Sequence, residues 1–201
     1  SIVERSVEGE PLRMVGAISD ITDEKQAKDQ IQNLIYFDSL TGLPNRQFIN
    51  RKINDILSRS NDKDYFWGLM YLDLDQFKVV NDTYGHQTGD VLLRKFGDRI
   101  RGAVKSTDTI CRIGGDEFVV LLPDIDTEVS VIKVAEKIRT ALMMPIHVDS
   151  FSLSTTASIG VAIFPQDGLN TSDLMNNADA AMYAAKSKGR NTIAKYSEET
   201  A

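Results

Sequence analysis

The sequence is poor in several things, and each absence narrows the reading. It has one cysteine, Cys111, so no internal disulfide framework is available, and the chain fits a reducing compartment. It lacks a basic excess: 23 Lys and Arg stand against 29 Asp and Glu, for a net charge of −6. A non-specific binder of nucleic-acid polymers would need the opposite balance to displace counterions. A nucleotide substrate is still open to an acidic site, because a metal ion can bridge phosphates to carboxylates. No apolar run reaches the length of a membrane span and no signal-peptide pattern opens the chain, so no membrane contact is expected within this segment. His86 has no second His or Cys at ligand spacing, which argues against zinc. The opening "SIVERSVEGEPLRMVGAISDIT" starts mid-pattern without an initiator Met, and is expected to belong to a longer protein. The segment itself reads as cytoplasmic, with any membrane anchor lying upstream. What is present is a core: 42% of 201 residues are apolar, enough for one well-buried domain and an appendage.

Residues 1–22 read as two short strands around a turn at Glu8–Pro11, too little to be stable alone. Residues 23–37 read as a helix, either packed on the core or acting as a coiled-coil linker. Gly42 and Pro44 break it, and a second helix is expected from Pro44 to Ser60. "YFWGLMYLDLD" fits a central strand buried on both faces, with Asp73 and Asp75 at its end on one side. A short helix and an amphipathic helix over 89–104 follow. "TICRI", Gly114-Gly115 and "EFVVLLP" read as a hairpin with the glycines at its turn. A helix over 127–143, one long strand over 152–164, a helix over 172–187 and a strand in "NTIAKY" complete the chain. Helices and strands interleave without repeat, which points to one α/β or α+β sheet domain.

The residues suited to chemistry lie between these elements. If the hairpin neighbours the central strand, Asp73, Asp116 and Glu117 converge, and such a cluster raises its own pKa values unless a cation is near. Mg²⁺ or Mn²⁺ suits those oxygens. Spacing alone leaves a second option open, a solvated turn with unrelated acids. Lys186 and Arg190 lie four apart at the end of the last helix, as dipole partners or as phosphate donors. Asn81 and Asp90 offer the hydrogen-bonding edge that guanine needs, or a helix cap. Lys78 follows the first strand within a turn, and the glycines at 85, 89, 114 and 115 let backbone approach a ligand.

Together these stretches resemble the GGDEF family of diguanylate cyclases from about Asp38 to Tyr196. "DSLTGLPNR", "LDLDQFKVVNDTYGHQTGD", "RIGGDEF", "SIGVA" and "ADAAMYAAKSKGRN" occur in family order and spacing. The resemblance implies a largely antiparallel central sheet wrapped by helices, like the palm of nucleotide polymerases and adenylyl cyclases. It implies condensation of two GTP molecules into cyclic di-GMP and two pyrophosphates by a homodimer. It places two metal ions per site on Asp73, Asp116, Glu117 and the Leu74 carbonyl, with Glu117 also suited to deprotonating the 3′-hydroxyl. It assigns guanine to Asn81 and Asp90, and phosphates to Lys78, Lys186, Arg190 and the backbone N–H groups of Gln76 and Phe77. Gly114 and Gly115 serve the turn. Residues 1–22 resemble the last strands of a PAS sensor domain, which makes 23–37 the linker and 38–201 the cyclase domain.

Two positions depart from the family pattern. Where many members carry Arg-x-x-Asp for product inhibition, this chain has Lys105 and Asp108, and lysine lacks the planar fork that clasps phosphate. The inhibitory site is therefore expected to be degenerate. Gln47 stands where an arginine is frequent, and no consequence follows from it. The competing reading is a catalytically inactive GGDEF module that binds GTP or cyclic di-GMP and regulates a neighbouring domain. The intact signature acids and glycines favour the enzyme.

Overall fold

A computed structural model describes residues 2–5, 7–8, 11–15, 32–59, 66–148 and 151–197. The chain divides into two compact units, residues 1–35 and 36–201. In the first, β1 (Ile2–Arg5) and β2 (Pro11–Val15) form an antiparallel hairpin. Residues 32–36 are helical, and the rest of the expected 23–37 helix lies outside the described residues.

The second unit is built on a five-stranded sheet, β4-β5-β3-β8-β9. β3 (Trp67–Leu74) is central, between β5 (Glu117–Leu122) and β8 (Ala157–Phe164), both antiparallel to it. β4 (Thr109–Gly114) pairs antiparallel with β5, and β9 (Ile193–Lys195) runs parallel to β8. The sheet is the largely antiparallel one expected.

All eight residues of β3 are buried, which explains why its sequence is a continuous apolar run and not an alternation. Met70, Leu72 and Leu74 face α3 (His86–Ala103) and α4 (Glu128–Met143), in one core with Leu92, Phe96, Ile100, Phe118 and Ile138. Trp67, Leu69 and Tyr71 face α1 (Arg46–Arg59) and α5 (Thr171–Ser187), in a second core with Ile49, Ile53, Leu174, Ala178 and Met182. Each fully buried Leu or Phe contributes roughly 2 kcal/mol of transfer free energy. On the second face α5 lies against the sheet at backbone distance. A Cβ on Gly160 of β8 would fall 2.0 Å from the Ala178 carbonyl oxygen and 2.1 Å from the Met182 nitrogen.

Several boundaries differ from the sequence reading. α1 begins at Arg46, because Asn45 caps it by accepting from the N–H groups of Gln47 and Phe48. α3 begins at His86, three residues early, because Gly85 (φ 84°) separates it from α2 (Phe77–Tyr84). Asp90 therefore sits in the second turn, and the cap reading of it fails. The expected strand over 152–164 is broken. Phe151–Leu153 is β7, paired with β6 (Ile146–Val148) in a separate hairpin, and β8 starts only at Ala157. The segment between them is diverted to Asp75, as described below.

Candidate active site

The site forms where β3 ends against the β4–β5 hairpin. Gly114 pairs with Glu117, so the two turn residues are Gly115 and Asp116, one place later than the glycine pair predicted. The register shifts between Arg112 and Gly114, and this irregularity moves the turn. Gly115 has φ 52°, which a residue without Cβ adopts at little cost. Arg112 clasps the turn: its Nε and Nη2 donate to the Gly115 carbonyl at 3.0 and 2.7 Å, and its Nη1 donates to both Asp38 carboxylate oxygens at 2.9 and 3.0 Å. Burial pushes the Asp38 carboxyl up, but the Thr41 hydroxyl and the Arg112 guanidinium outweigh it and hold the group below its ordinary value.

Asp73 lies opposite Glu117 across the β3–β5 ladder, and the Leu74 N–H donates to the Asp116 carbonyl at 3.2 Å. Burial drives the Asp73 carboxyl up to about 6; the Lys186 ammonium opposes this, and the charges of Asp116 and Glu117 add to it. Lys186 Nζ is 2.8 Å from Asp73 Oδ2. Its partner is thus a carboxylate on the sheet and not the end of its own helix. Tyr71 donates its hydroxyl to Glu117 Oε2 at 3.0 Å; burial and the Glu117 charge hold the phenol well above its ordinary value. Asp73 and Glu117 thus each have a protein donor. Among the described residues no group of three or more His, Cys, Asp or Glu side chains is gathered at metal-binding spacing.

Asn81 of α2 packs against Gly89 of α3, the residue before Asp90. A Cβ on Gly89 would lie 1.9 Å from Asn81 Oδ1, so glycine there makes room for the amide. That Oδ1 is buried and has no hydrogen-bond partner among the described residues, an acceptor left for a donor from elsewhere. Asp90 is exposed beside it. Gln76, at φ 59°, opens α2, whose first N–H groups have no acceptor within the helix. Lys78 is exposed in that first turn. Arg190 is exposed and lies beyond the end of α5, not on it, in a left-handed turn with φ 63°. A cleft of about 520 Å³ is lined by Gln76, Arg190, Asp75, Thr155 and Asn191 among others. Lys105 and Asp108 lie away from these residues, on the loop between α3 and β4, where Asp108 Oδ2 accepts from the Lys105 N–H at 2.7 Å.

Sequence reasoning gave no role to Tyr71 or Arg112 and, above all, none to Asp75, which it placed beside Asp73 at the strand end. Asp75 is 6% exposed, and its carboxylate accepts from Ser158 Oγ at 2.7 Å, Thr156 Oγ1 at 2.5 Å and the Asn191 N–H at 3.0 Å. The one signal available was an acid at the end of a buried strand.

A sheet of this order, with an acid at the end of its central strand facing a Gly-Gly-Asp-Glu hairpin, defines a palm-like nucleotidyl-transfer fold. The family described as "Diguanylate cyclase, GGDEF domain" matches residues 35–192, and the chain belongs to it. It is 39% identical over 170 residues to the bifunctional diguanylate cyclase/cyclic di-GMP phosphodiesterase MucR of Pseudomonas aeruginosa, covering 85% of this chain and 25% of that protein. The chain thus spans about a quarter of the length of that relative. Among solved structures, the GGDEF domain of TpbB from Pseudomonas aeruginosa matches with TM-score 0.79 and 34% identity, covering 82% of this chain and 96% of that one. The coiled coil and GGDEF domain of DgcB from Caulobacter crescentus, solved with c-di-GMP, match with TM-score 0.78 and 28% identity over 87% and 93% of the two chains. Among the described residues no helix is long and apolar enough to cross a membrane.

Proposed function

We propose that the chain is a diguanylate cyclase, active as a dimer of GGDEF domains that each hold one GTP. The observation that carries this reading is Asp73, a buried carboxyl raised to about 6 at the end of the central strand, beside Asp116 and Glu117. Such a group is poised for a cation or a proton.

The donor chemistry suits Mg²⁺ or Mn²⁺: hard carboxylate oxygens, with Asp116 and Glu117 adding to the rise of Asp73. Asp73, Asp116, Glu117 and the Leu74 carbonyl would hold two ions, which when bound neutralise phosphate charge and lower the cost of ionising a hydroxyl. The protein's own groups do the rest. Asn81 and Asp90 read the guanine edge. Lys78, Lys186, Arg190 and the N–H groups of Gln76 and Phe77 hold the triphosphate, where fixed donors matter most as charge spreads over equatorial oxygens. Glu117 accepts the proton of the 3′-hydroxyl. The 3′-oxygen forms a bond to the α-phosphorus of the partner's GTP, and the bond from that phosphorus to the β-bridging oxygen breaks. Pyrophosphate leaves with the electron pair. Two such transfers close the ring. Facing domains turn a collision into an oriented pair.

Residues 23–37 are read as the linker that sets the dimer, and 1–22 as the end of a PAS-like sensor. Product inhibition through Lys105 and Asp108 is expected to be weak, since lysine offers no planar fork and Asp108 is already engaged by its own loop. Calorimetry showing sub-micromolar cyclic di-GMP binding that Asp108→Ala abolishes would overturn that part.

The test of function is direct. The chain held as a dimer, given GTP and Mg²⁺, should yield cyclic di-GMP and pyrophosphate by mass spectrometry. The engagement of Asp73 by Lys186 and of Glu117 by Tyr71 is what favours the second reading, a GGDEF module that binds nucleotide without turning it over. Nucleotide binding by calorimetry with no product from the enforced dimer would select it.

A further inference from the structure

Asp75 is buried, and among the described residues it has no charged hydrogen-bond partner. Its three donors are the Ser158 and Thr156 hydroxyls and the Asn191 N–H. Its backbone is tied as well: the Asp75 N–H donates to the Thr156 carbonyl at 2.9 Å, and the Thr155 hydroxyl donates to the Asp75 carbonyl at 3.1 Å. A buried carboxylate costs free energy unless such donors hold it, so three converging donors make a rigid joint.

The joint stands between two strained pieces of backbone. On one side the next residue, Gln76, is left-handed at φ 59° and starts α2. On the other, Gly189, Arg190 and Asn191 are left-handed in succession, at φ 107°, 63° and 46°. Non-glycine residues keep such angles only where their surroundings enforce them. Here Asp75 grips the Asn191 N–H, while Arg139 Nη1 donates to the Asn191 carbonyl and side-chain oxygens at 3.4 and 3.2 Å. Arg190 is the residue whose direction this turn decides. It and Gln76 line the same cleft as Asp75.

We propose that Asp75 is a positioning residue for the nucleotide triphosphate: by fixing the 189–191 turn against the start of α2, it sets the Arg190 guanidinium relative to the Gln76 and Phe77 N–H groups. The assignment rests on the reading of Arg190 as a phosphate ligand. A buried anchor that served the fold alone would affect stability and leave triphosphate recognition untouched.

The two are separated by a double-mutant cycle on the full chain. Binding of the α,β-methylene analogue of GTP, which cannot be condensed, is measured by calorimetry for the parent, Asp75→Ala, Arg190→Ala and the double variant, and GMP is measured in parallel. Asp75→Ala should weaken the triphosphate by about tenfold, the order of one charge-assisted contact, and GMP by much less. In the Arg190→Ala background the same change should cost little more. Asp75→Asn should recover most of the affinity, because its amide oxygen can accept from Asn191 while its NH₂ turns to the Ser158 hydroxyl. If the alanine chain does not fold, Asp75→Ser carries the same cycle, its hydroxyl being too short to reach Asn191. Equal losses with and without Arg190, or equal losses for GMP and the triphosphate, overturn the proposal. Unchanged triphosphate binding in Arg190→Ala alone removes instead the phosphate role of Arg190.

Discussion

Asp73 and Asp75 stand two residues apart, the first on β3 between Glu117 of β5 and Ser158 of β8, the second one residue beyond the strand and bonded to the Ser158 hydroxyl. Both are under a tenth exposed, at 7% and 6%. Asp73 stands among charges: burial pushes it up to about 6, the lysine in contact opposes this, and two further carboxylates add to it. Asp75 is held by neutral donors, two hydroxyls and one backbone N–H. The same residue type in the same depth of burial is left electrostatically unresolved in one place and satisfied in the other. Unresolved charge suits a group that must bind or exchange something. Satisfied charge suits a group that must not move.

The contrast should show most strongly in turnover. Asp73→Asn is expected to lower cyclic di-GMP formation by at least about 10³-fold while the melting temperature holds or rises, since a repelled buried charge is removed. A comparable fall in stability would erase the distinction. Asp75→Ala should behave in the opposite manner under chemical denaturation. Three donors lose their acceptor, and the expected cost is about 2–4 kcal/mol.

Acidity sharpens the comparison further. Asp73 has a folded value near 6 against an ordinary 3.8, so its protonated form favours the folded state. That contribution is complete below pH 4 and lost as pH rises through 6. The stability difference between the parent and Asp73→Asn should therefore change across this window and be flat above it, as thermal melts in a pH series would show. The smallest effect belongs to Tyr71→Phe, which frees Glu117 from its one hydroxyl donor. About 1 kcal/mol of stability and a change in turnover under about tenfold are expected. A total loss of activity would mean that Tyr71 does chemistry.

Much of the fold could be read from local pattern. The run from Trp67 to Leu74 is apolar on both faces because helices cover both, and the hairpin, α4 and α5 announced themselves through turn residues and helical spacing. The errors came where backbone geometry, not side-chain polarity, decides. One irregularity before Gly114 shifted the turn by a residue, and one left-handed glycine at 85 began α3 early. The strand over 152–164 broke because its middle bonds Asp75 instead of a neighbouring ladder. The acids, lysines and glycines of the site were legible as types, and the family resemblance gathered them. Asp75 was not, because its partners lie 81, 83 and 116 residues away and are a threonine, a serine and a main-chain N–H, none of them distinctive in sequence.

Gly160 bears on how accurately the site is assembled. At that point α5 rests on β8 through main-chain atoms, with no side chain between them to compress or rotate. The contact works as a machinist's datum: a hard reference plane from which other heights are measured. Lys186 stands one turn beyond Met182 on that helix, so its reach to Asp73 inherits the tolerance of the backbone rather than that of a side-chain layer. Even one methyl group at position 160 would raise the helix off its reference, and the lysine with it.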